Sequence, residues 1–235
     1  MGRQWLHAKR EINANKKAKI TNKLVREITI ATKMGAADPD MNPRLAMAVE
    51  AARKQSVSND VIKRAIQKGS GEGGDAQNYE TILYEGMAPH NVPVIVECLT
   101  ENRNRTGSDI KSLFKGGQFG SKVTFLFDHV GIIEATHDDA NKDAEEAAIE
   151  CGAQDVERVE GLDDQTGGRF LTDVTDLYAV ADALREQGWT VASAELGYHA
   201  KDPVDLDGEA LAEVEAFLER LEDHDDVQKL HVALK

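Results

Sequence analysis

Lys16, Lys19, Lys23, Arg26 and Lys33 recur so that a single helix would carry all five within an arc of roughly 100°. A ribbon of one sign costs self-repulsion that mixed charges would avoid, and a polymer of phosphates is the counterpart that relieves it. The plainer alternative is an ordinary solvated helix face. Lys9, Arg10, Lys63, Arg64 and Lys68 enlarge the same basic population and tilt the balance toward a phosphate backbone. Farther along, Asn102-Arg-Asn-Arg-Thr106 places Arg103 and Arg105 where a strand gives way to a helix. Two guanidiniums, two amides and the N–H groups of a helix start can hold a phosphate or a carboxylate. Equally, Asn and Thr can cap the helix locally while the arginines pair with an acidic surface.

Other chemistries find little support. The Gly69–Gly74 segment lacks the Lys-Ser/Thr of a phosphate-binding loop and reads as a linker. The seven His residues show no zinc-ligand spacing; Glu222-Asp-His-Asp-Asp226 could attract a cation, but an acidic turn between helix and strand is the simpler reading. No nucleophile elbow or Cys/His signature is present, so the expectation is a binding protein, not an enzyme, with no cofactor and no metal. Cys98 and Cys151 stand alone, which predicts two buried, reduced thiols. The charged start Met1–Arg10, and the absence of an apolar run of spanning length, predict a cytoplasmic protein with no membrane partner.

The formal net charge of −14 hides a division. Residues 1–70 carry 15 Lys and Arg against 6 Asp and Glu; residues 71–235 carry 13 against 36. A basic module for a polyanion, joined to an acidic body that discourages indiscriminate binding, accounts for both halves.

The basic residues need a scaffold, and helical periodicity supplies one. Ile20, Leu24, Ile28 and Ala31 predict a helix over Lys16–Met34, and Asn42-Pro43 opens a second that buries Leu45, Ala48, Val49 and Ala52. Ser58 caps a third carrying Val61, Ile62, Ala65 and Ile66, ended by Gly69. With only Ser56-Val57-Ser58 between them, the second and third helices could form a helix-turn-helix presenting Asn59, Lys63, Arg64 and Gln67, although short turns are common in any helical bundle. Trp5 is the lone aromatic of this region, so backbone contact is favoured over base stacking there.

Beyond the linker, strands are predicted at Tyr79–Glu85, Val92–Leu99 and Lys122–Phe127, with a helix over Thr106–Lys115. Gly131 to Gly197 reads strand-helix-strand-strand-helix-strand, the order of a ferredoxin-like unit. A helix from Gly208 and a strand at Val227–Val232 could complete the sheet begun at Tyr79. The expected architecture is therefore α+β in three parts: a basic helical domain at 1–75, an α/β domain at 76–129 plus 203–235, and an inserted ferredoxin-like domain at 130–202.

Taken together, Lys23-Leu-Val-Arg-Glu-Ile28, Asp38-Pro-Asp-Met-Asn-Pro-Arg-Leu45, Ile62-Lys-Arg-Ala-Ile66, Tyr84-Glu-Gly86, Val94–Thr106 and Leu221-Glu-Asp-His-Asp-Asp-Val-Gln228 resemble the YebC/PmpR family of transcriptional regulators, whose relatives include the mitochondrial translational activator of cytochrome c oxidase subunit I. The resemblance runs nearly end to end. It implies the same three-domain fold and a nucleic-acid partner, either DNA in transcriptional control or ribosomal RNA in translation, including of proline-rich stretches. The chain departs from the family pattern at Gly2-Arg-Gln-Trp5 and in a shortened Gly116–Val123 loop.

The leading expectation is a DNA-binding transcriptional regulator, the second a ribosome-associated translation factor; a metabolite-binding or enzymatic role for the ferredoxin-like unit is a third, since that fold hosts many functions. If the helix-one ribbon touches about five phosphates, log affinity for duplex DNA falls with log salt at a slope of about −4 to −5, measurable by titration at several salt concentrations. On this reading Lys19, Lys23 and Arg26 lie off the apolar stripe, so reversing their charge abolishes binding without unfolding the domain.

Overall fold

The computed structural model describes residues 4–71, 79–160 and 165–235, with side chains from Lys17 onward except at Glu160. Residues 72–74 of the expected linker, and the side chains of Lys9, Arg10 and Lys16, lie outside the described residues. The chain packs into two compact units. The first gathers residues 1–83, 97–110 and 220–229; the second holds 84–96, 111–219 and 230–235.

In the first unit three helices form one apolar core. Helix α1 (Gln4–Met34) starts twelve residues before the predicted Lys16, because Gln4–Asn15 is rich in helix formers but lacks the regular apolar stripe on which periodicity depends. Helix α2 (Pro43–Lys54) begins at Asn42, whose Oδ1 accepts from Leu45 N at 3.2 Å, and α3 (Asn59–Gly69) follows Ser58. The buried set is Ile28, Ala31, Leu45, Ala48, Val49, Ala52, Val57, Ile62 and Ala65. Leu24, Val25, Val61 and Ile66 pack against it. Asn42 is itself buried, and its Nδ2 donates to Ala31 O at 2.8 Å and Ala36 O at 2.9 Å. One side chain thus starts α2 and satisfies carbonyls at the end of α1.

Strands β1 (Glu80–Met87), β2 (Pro93–Thr100), β3 (Gln118–Phe119) and β8 (Val227–Val232) make one sheet in the order β3-β1-β2-β8, so the last strand does return to the sheet begun near Tyr79. Helix α4 (Arg103–Leu113) follows β2. The predicted strand over Lys122–Phe127 is instead a 3-10 turn at Thr124–Leu126, and β4 (Phe127–His137) begins only at Phe127. The reason is Glu85: its carboxylate accepts Val123 N at 2.8 Å and Thr124 N at 2.9 Å, taking the amides that a strand would have given to a neighbour.

The second sheet is built from β4, β5 (Asp155–Glu160), β6 (Thr166–Thr172) and β7 (Thr190–Ala200), in the order β5-β6-β4-β7 with antiparallel pairing. Helices α5 (Ala144–Cys151) and α6 (Leu177–Glu186) complete the strand-helix-strand-strand-helix-strand order of a ferredoxin-like unit. Phe170, Ile133, Leu177 and Leu184 are fully buried in it. Helix α7 (Gly208–Glu222) leads into β8. The molecule is α+β.

Close approach of α3 to α1 is set at Gly69, where an added Cβ would lie 2.4 Å from Thr29 O and 2.7 Å from Thr32 Cβ. Glycine-to-alanine at a helix end ordinarily gains helix propensity. Here Gly69→Ala costs about 1–3 kcal/mol by overpacking, and a urea titration should show a lower midpoint with an unchanged slope.

Candidate nucleic-acid interface

Lys19, Lys23 and Arg26 do share one face of α1, as the i, i+4, i+7 spacing requires, and each is half-buried. That face is occupied by the chain itself. Lys19 Nζ lies 3.0 Å from Asp223 Oδ1 and 3.2 Å from Asp223 O. Lys23 Nζ donates to Glu222 O at 3.0 Å, and Arg26 Nη1 to Asp225 O at 2.6 Å, with Asp226 Oδ1 at 3.5 Å. Three of these contacts go to main-chain carbonyls at and just after the C-terminal end of α7, where unpaired C=O groups concentrate negative potential. The cations therefore act as C-terminal donors to that helix, and the acidic turn supplies additional carboxylates.

Asp226 is the centre of this arrangement. It is 4% exposed, and its Oδ2 receives Arg105 Nη2 at 2.7 Å and Thr106 Oγ1 at 2.7 Å. Because a carboxylate only accepts, the Thr106 proton points to Asp226, and Thr100, 2.7 Å from Thr106 Oγ1, gives its own proton to Thr106. Thr100 Oγ1 accepts Asn102 N at 2.9 Å in turn, and Asn102 Oδ1 accepts Arg105 N at 3.1 Å to start α4. Burial would raise the Asp226 pKa, but the Thr106 and Arg105 hydrogen bonds, with the charges of Arg105 and His224, hold it below the ordinary aspartate value. The Asn102–Thr106 segment thus both caps its helix and binds a carboxylate, and that carboxylate is the protein's own.

Burial also governs the neighbours. Lys23 is lowered, first by desolvation and against the pull of Glu222. Cys98 is fully buried, and its thiol is pushed up to about 12 by burial and by Asp226 and Glu97, so it is a packing residue without thiolate character at neutral pH. Cys98 and Cys151 are both free thiols, although Cys151 is only partly buried, a departure from the predicted burial. Among the described residues no cluster of His, Cys, Asp and Glu has the geometry of a metal site, and no helix is long and apolar enough to cross a membrane.

Of the remaining basic positions with described side chains, most are exposed. On α3, Lys63 and Arg64 are exposed together with Asn59 and Gln67, while Ile62 and Ala65 turn into the core. Lys68 is half-buried at the end of that helix and Lys33 is exposed at the end of α1. Arg103 is exposed at the first position of α4. The ribbon expected on α1 is therefore divided: three of its members bind the Glu222–Asp226 turn, and the outward cations lie on α3 and at helix ends.

Residues 3–72 match the model of the TACO1/YebC protein N-terminal domain, and residues 79–234 that of the TACO1/YebC second and third domain. The chain belongs to the TACO1/YebC family. A relative from Pseudomonas fluorescens strain Pf-5, named a probable transcriptional regulatory protein, is 51% identical, covering 100% of this chain and 99% of its own. One of the same name from Persephonella marina is 38% identical, over 96% of this chain and 90% of its own. The crystal structure of a conserved hypothetical protein from Aquifex aeolicus is similar with a TM-score of 0.82 at 36% identity, covering 94% of this chain and 90% of that one. The family is named for regulation rather than for a catalysed reaction.

In this TACO1/YebC member, sequence reading located both partners of the main ion-pair network and missed that they meet. Arg26 and Asp226 are 200 positions apart. The available signal was complementarity: the most basic helix and the densest acidic turn of one chain.

The magnitudes rank the contacts. The exposed Lys19–Asp223 pair contributes about 0–1 kcal/mol, whereas Asp226 is buried and is the acceptor of the buried Thr106 hydroxyl, so its loss weighs more. Asp226→Ala should lower unfolding free energy by about 1–3 kcal/mol at neutral pH, the cost of leaving the buried Thr106 hydroxyl without its acceptor. Because the folded pKa is depressed, this stabilisation is present above the unfolded-state value of about 3.9 and is lost as pH falls through the lower folded value. Urea titrations from pH 7 to pH 3 should show the difference between wild type and Asp226→Ala narrowing only at the acid end. The joint charge reversal of Lys19, Lys23 and Arg26 is now expected to destabilise the fold, contrary to the reading from the sequence.

Proposed function

We propose that the chain is a cytoplasmic transcriptional regulator that binds duplex DNA through the outward cations of its N-terminal helices, with no enzymatic role. Lys63 and Arg64 on α3 carry the contact, supported by Lys68 and Lys33 and by Lys9, Arg10 and Lys16 near the start of α1. The observation behind this reading is the exposed α3 face, where two cations and the amides of Asn59 and Gln67 stand opposite the buried Ile62 and Ala65. That is the composition a helix needs to meet phosphates and groove edges together. Lys19, Lys23, Arg26 and Arg105, engaged by the acidic turn, hold the unit together instead. Arg103 stays a secondary contact. The names of the relatives agree with a regulatory role. We further propose the division into domains at 1–75, 76–129 with 203–235, and 130–202.

A second reading, a translation factor that binds ribosomal RNA, is favoured by the small number of base-reading side chains beside these cations. Both readings use the same surface. Lys63→Glu with Arg64→Glu should weaken duplex binding at least tenfold and shallow the salt slope by about 2, since each lost phosphate contact removes about 0.9. Stability should change by no more than about 0.5 kcal/mol, because both side chains are exposed. Unchanged affinity would overturn the proposal. If the wild type ignores duplex DNA but co-sediments with ribosomes in a manner sensitive to the same variant, the second reading replaces the first.

A further inference from the structure

From Ile110 to Phe127 the chain contains Lys111, Lys115 and Lys122 and no acidic residue, the longest acid-free stretch in a region of 36 carboxylates. Within it lies an apolar run, Val123-Thr-Phe-Leu-Phe127. Val123 and Phe127 are buried with Ile95 and Ala233, and Leu126 packs against them. Phe125 alone is turned out, 69% exposed. Its position is held firmly: Glu85 takes the amides of Val123 and Thr124, Leu126 N donates to Val123 O at 2.9 Å, and Lys201 Nζ lies 3.3 Å from Phe125 O. The Glu85 carboxyl is held below its ordinary value, chiefly by its hydrogen bonds with Thr124, so at neutral pH it is committed to the turn as an anion. Lys122 is exposed beside this turn, and Lys201 reaches across it while pairing with Asp128 at 3.1 Å.

An outward aromatic ring on a turn tied by several hydrogen bonds, beside the exposed Lys122 in an otherwise acidic region, matches the requirements of a stacking platform. The ring meets the π-face of an unpaired base, and the Lys122 ammonium meets an adjoining phosphate. Duplex DNA buries its base faces and would gain nothing from the ring. We propose that Phe125, with Lys122, forms a second nucleic-acid contact that stacks on an unpaired base of a single strand. This inference rests on the nucleic-acid reading above and adds the kind of strand recognised. An anionic membrane is the competing partner for a ring beside a lysine; Phe125 is the one residue of the Val123–Phe127 run turned fully outward, and a single ring suits one base rather than a lipid surface.

The test uses the full chain and fluorescein-labelled 12-nucleotide single-stranded RNA of uniform sequence, with a duplex of equal length as reference. Phe125→Ala should weaken single-strand binding roughly five- to a hundredfold and change duplex binding by less than about twofold. Phe125→Trp should retain affinity, whereas Phe125→Leu, apolar but without a π-face, should lose it as alanine does. Thermal unfolding of all three variants should match the wild type, because the ring is largely outside the core. Equal single-strand binding by Phe125→Ala, or retention by Phe125→Leu, would overturn the stacking contact while leaving the α3 duplex contact intact. Binding of phosphatidylserine vesicles that depends on Phe125, with no Phe125-dependent RNA binding, would also overturn it. Absence of any oligonucleotide binding by the wild type would remove both this site and the reading beneath it.

Discussion

The buried carboxylate of Asp226 organises the first unit because an ionised group at 4% exposure must have every lone pair answered. Its answers come from three distant parts of the chain: Arg26 on α1, Arg105 and Thr106 on α4, and through Thr106 the hydroxyl of Thr100 at the end of β2. Apart, the Asp226 carboxylate and the Thr106 and Thr100 hydroxyls would be buried and unsatisfied. The network therefore acts as a unit, and the more exposed pairs around it, such as Lys19 with Asp223, follow its geometry rather than determine it.

This constraint changes what the basic helix means. A cation ribbon relieves its self-repulsion with whichever anion is present, and the C-terminal carbonyls of α7 with the adjoining acidic turn are already there. Internal pairing removes Lys19, Lys23 and Arg26 from the supply of outward charge and leaves Lys63 and Arg64 of α3 among the cations facing solvent. The nucleic-acid reading survives on fewer residues. Those residues sit on a helix whose other face is fixed by the α1–α2–α3 core, so the outward cations are held on a firm support.

Much of the fold was legible because it rests on local periodicity. The buried positions of α2, the Asn42 cap and the β8 range at Val227–Val232 all follow from patterns a few residues long. The order of the ferredoxin-like unit was readable for the same reason. The errors fall where a local signal was absent or was overruled from afar. The first turns of α1 lack an apolar stripe, and Val123–Leu126 has strand composition but gives two amides to Glu85, a residue of another strand.

By itself the sequence determined the α+β class, the basic and acidic halves and the candidate cations, since composition and spacing are properties of the linear chain. It also showed Asn102–Thr106 as a place able to hold an anion. Only the tertiary structure decided that the anion is Asp226, that Arg26 and Arg105 converge on it, and that Lys63, Arg64 and Phe125 face outward. The physical reason is that charges pair through space. A carboxylate about two hundred residues away can neutralise a lysine as fully as a bound phosphate would, and no periodicity in the sequence records which of them arrives.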